Sequence, residues 1–185
     1  MSAEASIDAL VLGAGPGALA IAAALSQEEL NVSVLSASSH RDPWPYTYGI
    51  WAEELDEIGL SHLLEYRWVN TVSYFGEGSS EHTSEENKAT NHNKDYGLFD
   101  KNRLQAHWTS QCEKGNVSWN LGIAEEIEVN RYLATVKTKD GLQFQARLVI
   151  DATGYDPVFL KSERTSPIAV QTCYGVVAEF SSNPI

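Results

Sequence analysis

The chain is poor in cysteine, in positive charge and in uninterrupted apolar sequence, and each shortage excludes something. Only two cysteines, Cys112 and Cys173, occur among 185 residues, and they form no C-x-x-C pair. A disulfide-stapled scaffold is therefore excluded and a reducing compartment is expected. His40, His62, His82, His92 and His107 are scattered, which leaves neither metal-ligand spacing nor a nucleophile triad. Lysine and arginine number 13 against 25 aspartate and glutamate, a formal net charge of -12. With no basic cluster to neutralise a phosphate backbone, nucleic acid is excluded as a partner. Polybasic attachment to anionic lipid is disfavoured on the same ground, whereas peripheral membrane contact through an apolar surface stays open. The N-terminal apolar run has no basic flank and is broken by Gly13, Gly15, Pro16 and Gly17, so it predicts neither a signal peptide nor a membrane span. A cytoplasmic or peripheral protein is expected.

What remains is an ordinary globular composition, 43% hydrophobic and 21% charged, enough for one domain over 1–185. Apolar residues at 7–12 predict a strand, and the alanine- and leucine-rich run at 18–25 predicts a helix. A second strand follows at 32–35, giving a βαβ unit with parallel strands and a right-handed crossover. Residues 52–64 predict two short helices around Gly59, with Leu55, Ile58 and Leu63 on the apolar side. Aromatic and β-branched residues at 68–75 predict a strand, and the polar stretch 76–93 a surface loop. Asp100 is placed to cap a helix whose stripe is Leu104, Trp108 and Cys112, with a strand at 117–121 after it. From Ala124 the pattern turns antiparallel, with strands near 127–129, 133–136 and 144–150 joined at Asn130-Arg131 and at the Asp140-Gly141 hairpin signal. A last strand is expected at 172–180. The fold class is therefore α/β, with an antiparallel β-meander inserted.

Two motifs carry chemistry. Gly13-Ala14-Gly15-Pro16-Gly17-Ala18 fits G-x-G-x-x-G/A and sits between a predicted strand and a predicted helix, as dinucleotide binding requires. Gly13 permits a tight turn, Gly15 lets a pyrophosphate approach the backbone, and Ala18 lets helix and strand pack closely. The helix start offers free N–H groups and about half an elementary positive charge. The acidic residue that often ends the second strand is replaced by Ser36-Ala37-Ser38, so the adenosine end is expected to be held either more loosely or through Ser36. The second motif, Asp151-Ala152-Thr153-Gly154, is a turn of small residues at the carboxyl end of an apolar strand, where ligands bind in open α/β sheets.

Together these motifs resemble the p-hydroxybenzoate hydroxylase superfamily, in which a glycine fingerprint and a later A-T-G turn both border FAD. That resemblance implies a Rossmann-like FAD-binding fold. A narrower one follows from Pro43-Trp44-Pro45-Tyr46-Thr47-Tyr48-Gly49-Ile50-Trp51, then Glu53-Glu54-Leu55 and Gly59-Leu60. Tyr96-Gly97-Leu98-Phe99-Asp100-Lys101, residues 148–155, and Gln171, Tyr174, Gly175 and Glu179 continue it. In this order they are similar to the lycopene cyclases of carotenoid biosynthesis, cyanobacterial members in particular. Read as residues alone, Trp44, Tyr46, Tyr48 and Trp51 are core or rim aromatics, or else a wall for an extended apolar ligand. Tyr48 and Trp51 are the substrate candidates.

The resemblance implies non-redox cyclisation of the ends of lycopene, or a related polyene, to β rings. It implies FAD acting in its reduced form, with NAD(P)H as electron source. It places the family's acidic motif and last cofactor segment beyond Ile185, so no catalytic acid is expected here. This chain is then the FAD-binding half, partner-dependent and inactive alone. Monooxygenase or polyprenyl reductase chemistry of the same superfamily, and a non-catalytic dinucleotide-binding fragment, are the alternative readings.

Overall fold

The computed structural model describes residues 6–74, 89–155 and 157–160. The strand expected at 172–180 and positions 76–88 of the expected loop lie outside the described residues, as do His82, Gln171, Cys173, Tyr174, Gly175 and Glu179.

The chain opens with β1 (Ile7–Leu12), α1 (Pro16–Gln27) and β2 (Val32–Ser36), and β1 and β2 pair in parallel as the sequence predicts. Leu10, Val11 and Leu12 are wholly buried because both faces of β1 are covered, as in a central parallel strand. Val11, Val32 and Val34 face α1, whose small residues Ala18, Ala22 and Ala23 let it lie close to the sheet.

Next come β3 (Gly49–Trp51), α2 (Ala52–Glu57), a 3-10 turn (Ser61–Leu63), β4 (Leu64–Trp68), β5 (Val72–Tyr74), β6 (Ala89–Asn91) and β7 (Tyr96–Phe99). β3, β7 and β4 form a three-stranded antiparallel sheet, and β5 and β6 a separate two-stranded one. Three expectations are corrected in this region. Ile58 is 63% exposed, because the chain leaves α2 at that residue while Leu55 and Leu63 turn inward. The strand expected at 68–75 is divided: Asn70 takes a left-handed φ of 54° and its N–H bonds the Asp95 carboxylate, so β4 ends at Trp68. Residues 89–91 of the expected loop pair with β5 instead, since their backbone bonds outweigh their polar composition.

The chain then runs through α3 (Lys101–Lys114), β8 (Ser118–Leu121), β9 (Ala124–Val129), β10 (Ala134–Thr138) and β11 (Gln143–Asp151). Asp100 caps α3, its carboxylate accepting from the N–H groups of Asn102 and Arg103 at 3.0 Å each. Leu104 and Cys112 are buried, and Trp108 packs against the same cluster. The main sheet has the order β8-β2-β1-β11-β10-β9, its first four strands parallel and the last two antiparallel. β9, β10 and β11 are the expected meander, and β11 is also the strand that returns to lie beside β1. Leu10, Leu12 and Leu35 share the second core cluster with Ala124, Val136 and Ala146, so the meander supplies the cover for the face that α1 does not.

Candidate functional site

The carboxyl ends of β1 and β11 lie side by side, with Leu12 opposite Asp151 in register. The Ala152 N–H donates to the Leu12 carbonyl at 3.0 Å, and the Gly13 N–H to the Leu35 carbonyl at 2.9 Å. Three strand ends are thereby tied together at one point, and both sequence motifs emerge from it. Gly13 has a φ of 111°, and a Cβ there would stand 2.6 Å from the Ala152 carbonyl oxygen. Only glycine satisfies both demands at once. The tight turn therefore serves to admit the second motif as well as to redirect the chain.

At Gly15 and Gly17 a Cβ would meet nothing within 4 Å, so both glycines face open space. Gly15 caps α1 with extended backbone, Pro16 occupies the first turn, and no side chain caps the exposed N–H groups. A helix start that is open, uncapped and free of side-chain bulk accepts an anion. Ala18 is buried against the sheet.

A cleft of about 300 Å³ begins at this point. Leu12, Gly13 and Ala14 form one wall, and Ser36, Ala37 and Ser38 from the end of β2 another. Thr153 and Val158 close it on the β11 side, and Gly122, Ile123 and Ala124, between β8 and β9, on the far side. These last three were not singled out in the sequence; the Gly122 N–H bond to the Ser36 carbonyl brings them there, at 2.9 Å. Gly122 was the available signal, since a Cβ would press on Leu35 and Thr138 at 3.2 Å each. Ser36 is buried, and its hydroxyl donates to the Ser38 carbonyl, which shapes the turn after β2.

Asp151 organises its own turn. Its carboxylate accepts from the Thr153 N–H at 3.2 Å, the Thr153 hydroxyl at 2.6 Å and the Phe159 N–H at 3.0 Å. Burial alone would raise this carboxyl, but those donors outweigh it and hold it below the ordinary carboxylate range. Gly154, at φ 107°, completes the turn.

The aromatic residues fall into two groups. Trp44 is buried and its indole N–H donates to the Ala14 carbonyl at 2.8 Å, inside the glycine loop. Tyr48 packs edge-on against Trp44 with ring centroids 5.6 Å apart, and burial raises its phenol. Trp51 stands apart in the three-stranded sheet, edge-on to Tyr96 at 5.6 Å, and Tyr96 stacks on Trp68 at 6.4 Å. Tyr96 and Trp68 are 38% and 42% exposed, so these rings make an open aromatic row across β3, β7 and β4. Among the described residues no three His, Cys, Asp or Glu side chains gather as a metal site. No helix among them is long and apolar enough to cross a membrane.

A family model described as lycopene cyclase protein matches residues 8–185. The chain is 46% identical over 178 residues to lycopene beta cyclase of Synechococcus elongatus, a match covering 96% of this chain and 41% of that protein. It is 27% identical to the chloroplastic lycopene beta cyclase of Arabidopsis thaliana, over 96% of this chain and 34% of that protein. The chain thus spans about two fifths or less of the length of these curated relatives. Among solved structures, halogenase PltM in complex with phloroglucinol and FAD superposes with a TM-score of 0.61 at 14% identity, covering 82% of this chain and 35% of that one. The p-nitrophenol 4-monooxygenase PnpA from Pseudomonas putida gives a TM-score of 0.55 at 20% identity, over 79% of this chain and 40% of that one. The fold is the Rossmann-like α/β fold of the p-hydroxybenzoate hydroxylase type.

Proposed function

The chain belongs to the lycopene cyclase family, and from that premise we propose that it is the FAD-binding part of a carotenoid cyclase. The observation that carries this reading is the junction of the two motifs, where Gly13 is forced against Ala152 while Gly15 and Gly17 stay open at the start of α1. A dinucleotide fits there. The pyrophosphate would lie on Ala14, Gly15, Gly17 and Ala18, with Pro16 setting the first helical turn. The cleft beyond, between Ser36 and residues 122–124, has the apolar floor and scattered polar rim suited to the adenosine end. Asp151, Ala152, Thr153 and Gly154 would border the other end of the cofactor.

When bound, reduced FAD would supply negative charge against the positive charge that develops as a polyene end is protonated and closes. No net oxidation occurs in such a closure, so the activity is an isomerase type, with NAD(P)H needed only to keep the cofactor reduced. The residues of this chain bind and orient; proton transfer to the polyene is assigned to none of them. For the substrate, lycopene or a related polyene, Tyr48 and Trp51 offer aromatic area, the only kind of contact a hydrocarbon without donors or acceptors can use. The open row from Trp51 to Trp68 supports that role. Of a cytoplasmic location and one peripheral on a photosynthetic membrane, the peripheral one suits an insoluble substrate, and the remaining length seen in the relatives is the partner this chain would need for turnover.

The test is titration of oxidised and reduced FAD into the 185-residue chain, read by flavin absorbance and fluorescence. Saturable binding that is abolished by Gly15→Val is expected. A folded chain that takes up no flavin sinks the reading.

A further inference from the structure

We propose that Trp44 is a positioning residue for the pyrophosphate, acting through the peptide group between Ala14 and Gly15; this rests on the dinucleotide reading of the glycine loop. Trp44 lies thirty positions beyond that loop, buried, with its indole N–H on the Ala14 carbonyl at 2.8 Å. Its own carbonyl is held in turn by the Lys101 ammonium, which donates at 3.0 Å from the first residue of α3. The ring is packed edge-on against Tyr48. Main chain, ring and indole N–H are each held, so the bond to Ala14 has little freedom to wander.

The consequence follows from the planarity of the peptide. In a trans peptide the C=O and the next N–H point in opposite directions. Fixing the Ala14 oxygen toward Trp44 therefore turns the Gly15 N–H away from Trp44, in a residue where an added Cβ would meet nothing within 4 Å. It also keeps a partially negative oxygen from facing an anion. Donors are few in this loop, because Pro16 has no N–H and the Gly13 N–H is taken by the Leu35 carbonyl, which leaves Ala14, Gly15, Gly17 and Ala18 to meet the phosphates. Losing the orientation of one of four donors matters more here than in a loop with donors to spare. The indole N–H takes the Ala14 carbonyl, which lies one residue before the first carbonyl that α1 uses, and the loop is set before any ligand arrives.

The experiment is calorimetric titration of the full chain with FAD, ADP and adenosine, in wild type and in Trp44→Phe, which keeps a ring and removes the donor. FAD and ADP share the pyrophosphate, and adenosine lacks it. We expect Trp44→Phe to weaken FAD and ADP about three- to tenfold, the scale of one hydrogen bond, and to leave adenosine unchanged. An equal loss for all three ligands, or none, overturns the proposal while the dinucleotide reading stands. A folded wild type that binds neither FAD nor ADP overturns both. Should Trp44→Phe fail to fold, the indole proton of Trp44 in the wild type decides by NMR. It is expected to shift on addition of ADP and not of adenosine, and a signal blind to ADP overturns the assignment.

Discussion

At the scale of single residues, the site depends on atoms that are absent. Gly13 carries two constraints, a φ of 111° and a carbonyl 2.6 Å from where a Cβ would stand. Backbone strain in that region costs about 1–3 kcal/mol, and the Ala152 oxygen belongs to backbone that cannot swing aside. Gly13→Ala should therefore lower the unfolding free energy by at least about 1–3 kcal/mol, measured by urea denaturation, and abolish FAD binding as well. Gly15→Ala, with open space around it, should spare stability and strike binding alone. Asp151 adds a pH dependence whose sign is determined. Its folded pKa lies below the ordinary 3.8, so the stability it contributes is complete above that value and is lost as pH falls through 3.8 toward the folded value. Asp151→Asn should flatten the acid limb of the stability curve in that window, as followed by circular dichroism. An unchanged limb would mean that the Thr153 and Phe159 donors do not favour the charged form.

Elements were legible in the sequence wherever local chemistry decides them. The first βαβ unit is spelled out by an apolar run, glycines, an alanine-rich helix and a second apolar run, and it forms as read. α3 announces itself through Asp100 and the Leu104, Trp108, Cys112 stripe, all observed in those roles. Asp100→Ala should cost about 1 kcal/mol, the usual worth of a side-chain N-cap, and a thermal melt with no measurable loss would show that the cap is redundant. Most misreadings lie where a partner distant in sequence decides. The strand expected at 68–75 ends early because Asp95 receives the Asn70 N–H. Residues 89–91, polar in composition, become a strand because β5 offers a ladder. Ile58 was assigned inward by helical spacing, but α2 ends one residue before it. In the first two cases the local pattern was real and a tertiary bond outweighed it, whereas at Ile58 the stop is local, α2 closing through the left-handed Gly59 at φ 72°.

At the scale of the whole molecule, the cofactor is expected to stabilise what it joins. The cleft is walled by segments from β1, β2, β11 and the turn before β9, so a ligand that fills it ties both core clusters together. At a free FAD concentration of 100 times Kd the native state should gain about 2.7 kcal/mol, a rise in melting temperature of roughly 5–10 °C for a chain of this size. Differential scanning calorimetry with and without FAD checks it, and an unmoved transition at that concentration would mean that the native chain does not bind FAD in preference to the unfolded one. The sequence by itself determined the glycine loop, the small-residue turn after β11, the helix between the first two strands and the meander, because φ preferences, periodicity and turn chemistry are written in adjacent residues. Only the tertiary structure decided that Ala152 would close on Gly13, that residues 122–124 would wall the cleft, and that Trp44 would reach back to Ala14. Those contacts join segments 30 to 139 positions apart, and which segments meet is set by the burial of both faces of one sheet.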